Sequence, residues 1–282
     1  MKKILFTIVS IAAVVAACKP VEVRDNIGGN ITLDELKSQS TVTVWNEGGK
    51  NVNYVTCDTK APVNAVWSSV TQFQGAHGDL QMFATGEQTI KLKALCADGT
   101  VLEAEYKVNV DEMKYPVDPV WNLLTNGSEK AWTWSDIANV WGNGGYNADT
   151  PEAIANGSGE WWGVPASDVI GQINDYKGKG GNFDPADAAG ATMTFCLQGT
   201  EIRKSSGATG KYSFSMKDDA HKIGTLNTTG CGILFPCQIN TTNNVGNFEI
   251  ARVNETNLDL IYAADGTGDW SECTHWHFKA AN

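Results

Sequence analysis

The chain has 282 residues, a formal net charge of −11, 42% hydrophobic residues and 19% charged residues. This length predicts two domains, because single hydrophobic cores rarely grow beyond roughly 250 residues. The acidic balance repels phosphate backbones and no Lys/Arg-rich cluster offsets it, which argues against nucleic acid as a partner, whereas an uncharged ligand meets no such penalty.

The first residues predict export. A basic start precedes an apolar run over residues 4–17, which is shorter than the roughly 20 residues that a membrane span needs. The run ends at Val15-Ala16-Ala17-Cys18, which resembles the lipobox of bacterial lipoproteins. The resemblance implies a signal peptide over residues 1–17, a lipidated flexible tether over residues 18–30 and a membrane anchor on Cys18. The alternative is an ordinary secretory signal with a coincidental cysteine.

Export leads to an oxidising compartment, where an even number of cysteines permits disulfides. Apart from the lipidated residue, the chain contains Cys57, Cys96, Cys196, Cys231, Cys237 and Cys273. Pairing of Cys57 with Cys96 and of Cys231 with Cys237 fits disulfides inside each half of the chain. The spacings match no zinc pattern, and buried free thiols are the alternative.

Residues 31–112 have the pattern of a small β-sandwich. Thr32-Leu33-Asp34-Glu35 has the spacing of a capping box and predicts one short helical turn. Apolar and polar residues then alternate from Ile90 to Cys96 and from Leu102 to Val110, on either side of an Asp98-Gly99 turn. This period of two predicts strands with one buried and one wet face.

Three motifs of this segment resemble an immunoglobulin-type domain of the polycystic-kidney-disease (PKD) repeat family. They are Val52-Asn53-Tyr54, Ala65-Val66-Trp67 and the run over residues 86–92. The segment departs from the family at Ser68-Ser69-Val70, where an aspartate-rich glycine turn normally follows the tryptophan. The resemblance implies a PKD/immunoglobulin-like spacer domain over residues 31–112.

A stiff junction at Tyr115-Pro116-Val117-Asp118-Pro119 precedes a segment of different composition. Alternating runs such as Met193–Leu197 and Leu258–Tyr262 predict antiparallel strands there. We therefore expect an all-β protein, whose second domain over residues 119–282 is a larger antiparallel β-sandwich (jelly-roll-like) or a barrel.

Five of the ten tryptophans lie within residues 131–162. Trp132 and Trp134 share one strand face and are expected in the core. Trp141 precedes a segment that is too glycine-rich for a regular strand. Trp161 and Trp162 are adjacent, so on an extended backbone their side chains must point opposite ways, and one of them faces out. Sugar rings stack their C–H faces on such exposed indoles. The expected ligand contacts are Trp141, Tyr146, Glu160, Trp161, Trp162 and Trp270.

Three further motifs resemble the C-terminal domain of surface glycan-binding lipoproteins in starch-utilisation-like uptake systems. They are the runs over residues 130–135, 142–146 and 160–162. The resemblance implies non-catalytic binding of a polysaccharide or oligosaccharide by a lipid-anchored protein of the outer membrane, at the cell surface. It also implies partnership with an outer-membrane glycan transporter complex.

Two metal alternatives are weaker, and no cofactor is expected. Cys273, His275 and His277 alternate on one strand, but a metal site needs a further ligand, and a polar strand face backed by Trp276 and Phe278 is favoured. Calcium could bind aspartates near glycines, although no EF-hand-like loop is present. Those aspartates are Asp184, Asp187, Asp265 and Asp269.

Two other functions stay open. The chain has no Gly-x-Ser-x-Gly elbow and no His-Glu-x-x-His motif. A glycoside hydrolase or lyase could still use the same cleft, with Glu160 as the first acid to test. A structural or adhesive lipoprotein that binds another protein through its exposed aromatic side chains is the third hypothesis.

Overall fold

A computed structural model describes residues 30–146, 160–216, 223–263 and 271–281. The predicted signal peptide, the lipidation site Cys18 and the ligand candidate Trp270 lie outside these residues. Two separate hydrophobic cores are present, one built between residues 36 and 110 and the other between residues 120 and 278.

The first core lies between two antiparallel sheets, with strand orders β1-β2-β5 and β4-β3-β6-β7. These elements are α1 (Leu33–Ser38), β1 (Ser40–Glu47), β2 (Lys50–Thr59), β3 (Asn64–Ser68), β4 (Gln72–Gln74), β5 (His77–Gln81), β6 (Gly86–Leu95) and β7 (Val101–Val110). The predicted capping box is confirmed, because Thr32 and Glu35 cap α1 reciprocally. The predicted alternation is also confirmed, since Ile90, Leu92 and Ala94 are buried while the lysines between them are exposed.

The junction between the two cores is tied to the first sandwich by one buried amide. Asn53 donates from Nδ2 to the carbonyl oxygen of Tyr115 at 2.9 Å, and its Oδ1 accepts from the Tyr115 amide at 2.9 Å. Asp118 then caps the next helix by accepting from the Val120 amide at 2.9 Å, and Pro119 occupies the first turn of that helix. The proline-rich segment therefore leads directly from one core into the other.

The described residues of the second part of the chain form two further α-helices and ten strands, besides short 3₁₀ helices. They are α2 (Pro119–Thr125), β8 (Glu129–Trp134), β9 (Trp141–Gly145), β10 (Glu160–Val164), α3 (Val169–Gly178), β11 (Thr192–Cys196), β12 (Glu201–Lys204), β13 (Thr209–Met216), β14 (Gly224–Thr229), β15 (Asn247–Val253), β16 (Asn257–Tyr262) and β17 (Glu272–Ala280). The sequence pattern did not indicate the two helices. Among the described residues, none of the helices has the length and apolar character that a membrane span requires.

Eight of these strands close into an antiparallel barrel rather than the predicted sandwich. The order runs β17-β16-β15-β14-β13-β12-β11-β8, and β8 pairs with β17 again to complete the ring. Strand β17 has two partners on its closing side, since residues Phe278 to Ala280 pair with β8 while Glu272 to Trp276 pair with β9. Strands β9 and β10 therefore project from the barrel as a two-stranded extension, called here the β9–β10 extension.

Aromatic side chains fill the barrel. Trp132 and Trp134 are buried, which confirms their prediction as core residues. Each indole nitrogen is satisfied by a carbonyl oxygen, that of Leu124 at 3.1 Å and that of Asp187 at 2.8 Å. Trp276 and Phe278 point into the same core from β17.

The two described calcium candidates already have protein partners. Asp187 is buried, lies 2.7 Å from the ammonium of Lys204 and accepts from the Phe235 amide at 2.9 Å. Asp184 accepts from the Ala186 amide at 2.9 Å and caps a short 3₁₀ helix. Asp265 and Asp269 lie outside the described residues.

Neither disulfide considered from the sequence is formed, because Cys57, Cys96, Cys231 and Cys237 are free thiols. The Sγ of Cys231 donates to the carbonyl oxygen of Ile202, whereas the Sγ of Cys237 lies against the carbonyl oxygens of Gln238 and Thr241. Burial raises the pKa of Cys57 to about 12, and it raises the pKa of Cys237 to about 12 as well. These two thiols are therefore protonated at neutral pH.

Because the thiolate is the reactive form, we expect Cys57 and Cys237 to resist iodoacetamide at pH 8 in the native protein and to react after unfolding in guanidinium chloride. Peptide-resolved mass spectrometry without a reducing agent measures both states. The half-buried Cys231 is the internal control and should react first. A peptide containing Cys57 cross-linked to Cys96, or Cys231 cross-linked to Cys237, would contradict this arrangement.

Candidate functional site

Strand β10 presents two adjacent indoles to solvent. Trp161 is 50% exposed and Trp162 is 46% exposed, and they are the two exposed tryptophans of the described chain. Among the described residues, the strand pairs with β9 alone, at the edge of the β9–β10 extension. Its two rings therefore form a row of aromatic surface that none of the described strands covers.

A β-bulge explains why both rings are exposed. The sequence predicted that adjacent indoles on an extended strand face opposite ways, with one of them in the core. In the structure the register shifts, with Glu160 opposite Gly144 and Trp162 opposite Asn143, so that Trp161 is the extra residue. A bulge of this kind bends the strand and changes the direction of a side chain. The prediction of one buried ring is wrong.

Glycine permits the close approach of β9 and β10. A Cβ atom added to Gly142 would lie 2.1 Å from the carbonyl oxygen of Trp162, and one added to Gly163 would lie 2.6 Å from Cβ of Asn139. Neither distance is sterically allowed. The glycine-rich segment, predicted to be irregular, is therefore the regular strand β9, and its glycines are required for contact with β10.

Two of the predicted ligand contacts are buried instead. Trp141 is 0% exposed, donates from its indole nitrogen to the carbonyl oxygen of Cys237 at 3.1 Å and lies against Phe235 at 4.8 Å between ring centroids. Its ring also meets the ring of Trp162 edge-to-face at 6.1 Å. Tyr146 is 6% exposed and belongs to a small apolar cluster. The buried ring of Trp141 therefore packs against the core side of the exposed Trp162 ring.

Polar side chains that the sequence did not single out flank this indole. Asn143 lies directly across from Trp162, and such cross-strand partners share a sheet face. The Asn143 amide donates to the carboxylate of Glu272, which also accepts from Nδ2 of Asn240 at 3.0 Å. Within the described part of the chain, the Oδ1 of Asn143 accepts no hydrogen bond. We call the side of the sheet that bears Trp162, Asn143 and Glu272 the indole face.

Glu160 projects to the opposite face, because its partner Gly144 is the neighbour of Asn143 on β9 and successive residues of a strand alternate. One carboxylate oxygen accepts from Nδ2 of Asn139 at 2.6 Å, and the other lies 3.3 Å from Nε2 of His277. Burial acts to raise the pKa of the Glu160 carboxyl, but the hydrogen bonds from His277 and Asn139 outweigh it and hold the pKa below its usual value. Both carboxylate oxygens of Glu160 thus have partners inside the protein, so Glu160 is not placed to contact a sugar on the indole face.

His277 lies between two carboxylates. Its Nδ1 is 2.7 Å from Oδ1 of the buried Asp259, and the other Asp259 oxygen accepts from Nε of Arg252. His275 lies on the same strand face, with its Nε2 3.1 Å from Sγ of Cys273. Cys273, His275 and His277 share one face of β17, as their alternation predicted, and all three are buried, with Trp276 and Phe278 in the core behind them.

One ligand atom from each of Glu160, His275 and His277 lies within 4.8 Å of the other two, so these three residues could hold a metal ion. The sequence indicated the two histidines but not the carboxylate, which comes from a distant strand. We call Glu160, His275, His277 and Asp259 the acid–histidine cluster.

No protein-family model matches this chain, and no curated protein sequence matches it significantly. The chemistry of the two faces of β10 is therefore what bears on the function of the chain. The indole face offers aromatic surface with hydrogen-bonding groups beside it, while the acid–histidine cluster lies beneath the start of β10.

Because an added methyl group at Gly142 would collide with the backbone of β10, we expect Gly142→Ala to lower the free energy of unfolding by about 1–3 kcal/mol. Gly171 in α3 has open space around its Cα and is the matched control. Gly171→Ala should be neutral or stabilising by up to about 1 kcal/mol. Urea unfolding of both variants measures the difference, and equal stabilities would show that β10 is not closely docked on β9.

Proposed function

We propose that this protein is a non-catalytic lipoprotein that binds a neutral polysaccharide or oligosaccharide on its indole face, with Trp161 beside it. The observation that carries the proposal is the pair of half-exposed indoles on edge strand β10. Each indole presents a large apolar surface whose exposure to water is unfavourable, and paired rings of this kind mark binding surfaces. A sugar stacked on the rings would remove that surface from water.

The polar groups of the indole face suit sugar hydroxyls. Glu272 offers carboxylate oxygens as acceptors and is held by the Asn143 amide, and the exposed Asn240 offers an amide group that both donates and accepts. An aromatic surface fixes a pyranose ring by its face, and neighbouring hydrogen bonds then select the positions of its hydroxyls. The net charge of −11 disfavours anionic glycans and favours neutral ones.

The arrangement of carboxylates supports binding over hydrolysis. A glycosidase needs two carboxyl groups on one cleft, about 5–9.5 Å apart. Here Glu160 and Glu272 lie on opposite faces of the same sheet, and both oxygens of Glu160 already have partners. Near Trp162, the described residues of the indole face offer Glu272 as the one carboxylate.

The rest of the chain holds the indole face at a distance from the membrane. Cys18 carries a lipid that anchors the chain in the outer membrane, facing the cell exterior. The seven-stranded N-terminal sandwich, a PKD/immunoglobulin-like domain over residues 31–112, acts as the spacer. The barrel domain, within residues 119–282, then hands its glycan to an outer-membrane transporter complex. The two separate cores and the amide-tied junction support a spacer of fixed length.

If each indole stacks on a sugar, Trp161→Ala and Trp162→Ala should each weaken binding about ten- to a hundredfold, by analogy with the roughly 1–3 kcal/mol of base stacking. Affinity gel electrophoresis against neutral glucans, mannans and xylans measures retardation of each variant. Leu95→Ala is the control, because Leu95 is a similarly exposed apolar side chain on the first sandwich. It should migrate like the unmodified protein.

Three outcomes would contradict the proposal. If no glycan retards the folded protein in the gel, carbohydrate is excluded as the ligand. Release of shorter oligosaccharides from a retained glycan would indicate a hydrolase or lyase. Capture of an outer-membrane protein that free sugar does not displace would indicate an adhesive function.

A further inference from the structure

We propose that Glu160, His275 and His277 bind a divalent transition-metal ion, with Zn²⁺ as the preferred ion. None of these three ligand residues is among the proposed sugar contacts, although Trp162 and Asn143 also border the gap between them. Metal binding can therefore be tested without a glycan.

One pair of ligand atoms already has the spacing of a zinc coordination sphere. Two ligands of a tetrahedral zinc ion, each bonded at about 2.0–2.1 Å, lie roughly 3.3–3.4 Å apart. Nε2 of His277 and Oε1 of Glu160 are separated by 3.3 Å, and His275 contributes a third atom within 4.8 Å of both. Two imidazoles and one carboxylate are the ligand types that zinc takes in many proteins.

Asp259 prepares His277 for this role. Histidines that bind metals usually donate their other ring N–H to a carboxylate, which fixes the tautomer and the orientation of the ring. The 2.7 Å contact between Nδ1 of His277 and Oδ1 of Asp259 provides such a donor–acceptor pair, so we assign a proton to Nδ1. Nε2 of His277 hydrogen-bonds Glu160 in the metal-free protein, and the bound ion would take the place of the proton in that hydrogen bond.

Charge in the acid–histidine cluster also favours a cation. Among the described residues, the Arg252 guanidinium pairs with Asp259, so with neutral imidazoles the Glu160 carboxylate leaves the group an excess of negative charge. Burying such an excess is costly unless a positive charge offsets it. A divalent ion at Nε2 of His277 would do so, and a protonated His277 without any metal is the competing arrangement.

The available space fits an ion but not a water molecule. The side chains of Glu160, His275 and His277, with Asn139 and Trp162 beside them, enclose a gap too small to hold water. An ion whose ligands approach to about 2 Å needs no such gap. Coordination would also join β10 to β17, two strands that are separated by β9, directly beside the two exposed indoles.

The experiment uses the full chain without a histidine tag, stripped of metal with a chelator and then titrated with ZnCl₂ by isothermal calorimetry. We expect one equivalent of zinc to bind and to raise the melting temperature. Glu160→Gln and His277→Gln should each weaken zinc binding at least about a hundredfold, and Asp259→Asn about ten- to a hundredfold.

His77→Gln is the matched control, since His77 lies on β5 of the first sandwich with an exposed side chain near Asp58. It should bind zinc like the unmodified chain. If His277→Gln does not fold, Glu160→Gln on the edge strand keeps the test decisive, because loss of the zinc-dependent rise in melting temperature is read on a folded variant. Folded, metal-free protein that neither binds nor is stabilised by zinc would overturn the proposal and leave a protonated His277 between two carboxylates.

Discussion

The close docking of β10 on β9 is the constraint on which the surface chemistry of this protein depends. It requires glycine at position 142, where a Cβ atom would collide with the backbone of β10, and at position 163, where it would collide with the Asn139 side chain. Once the strand is docked, the contact between Trp162 and the buried Trp141 fixes one exposed ring against the core. The bulge at Trp161 then leaves the second ring outside the hydrogen-bonded ladder.

The two faces of this short strand have opposite physical character. On the indole face, apolar ring surface lies beside amide and carboxylate groups that can exchange water for sugar hydroxyls. On the other face, Glu160 reaches into a buried group of imidazoles and carboxylates. Strand β10 bears both Glu160 and the two exposed indoles, so the contacts that hold Glu160 also limit the movement of Trp161 and Trp162. Binding of the proposed glycan would thus be coupled to the contacts of Glu160.

Local features of the fold could be predicted from the sequence, because they depend on neighbours along the chain. The capping box at Thr32, the alternation in β6 and β7 and the core position of Trp132 all follow from residues a few positions apart. Closure of the barrel could not be predicted from the sequence, because strands of a sandwich and strands of a barrel show the same alternation of apolar and polar residues. Closure depends on the pairing of β8 with β17, which are far apart in sequence.

The site was predictable only in part for the same reason. Exposure of one of the adjacent rings Trp161 and Trp162 was predicted from an extended backbone, but the bulge that exposes both rings was not. The burial of Trp141 depends on Phe235, and the partners of Glu160 come from β17, so neither could be read from the local pattern. Asn143 and Glu272 were missed because their relation to Trp162 exists only in the paired strands.

The most direct measurement of the central claim, that a glycan lies across the exposed indoles, follows the indole N–H resonances of the protein by NMR during titration with a retained oligosaccharide. Trp→Phe variants assign each signal. The account predicts that the signals of Trp161 and Trp162 shift in a saturable way while those of the buried Trp132 and Trp276 stay in place. Saturable binding that leaves both exposed indoles unshifted would contradict it.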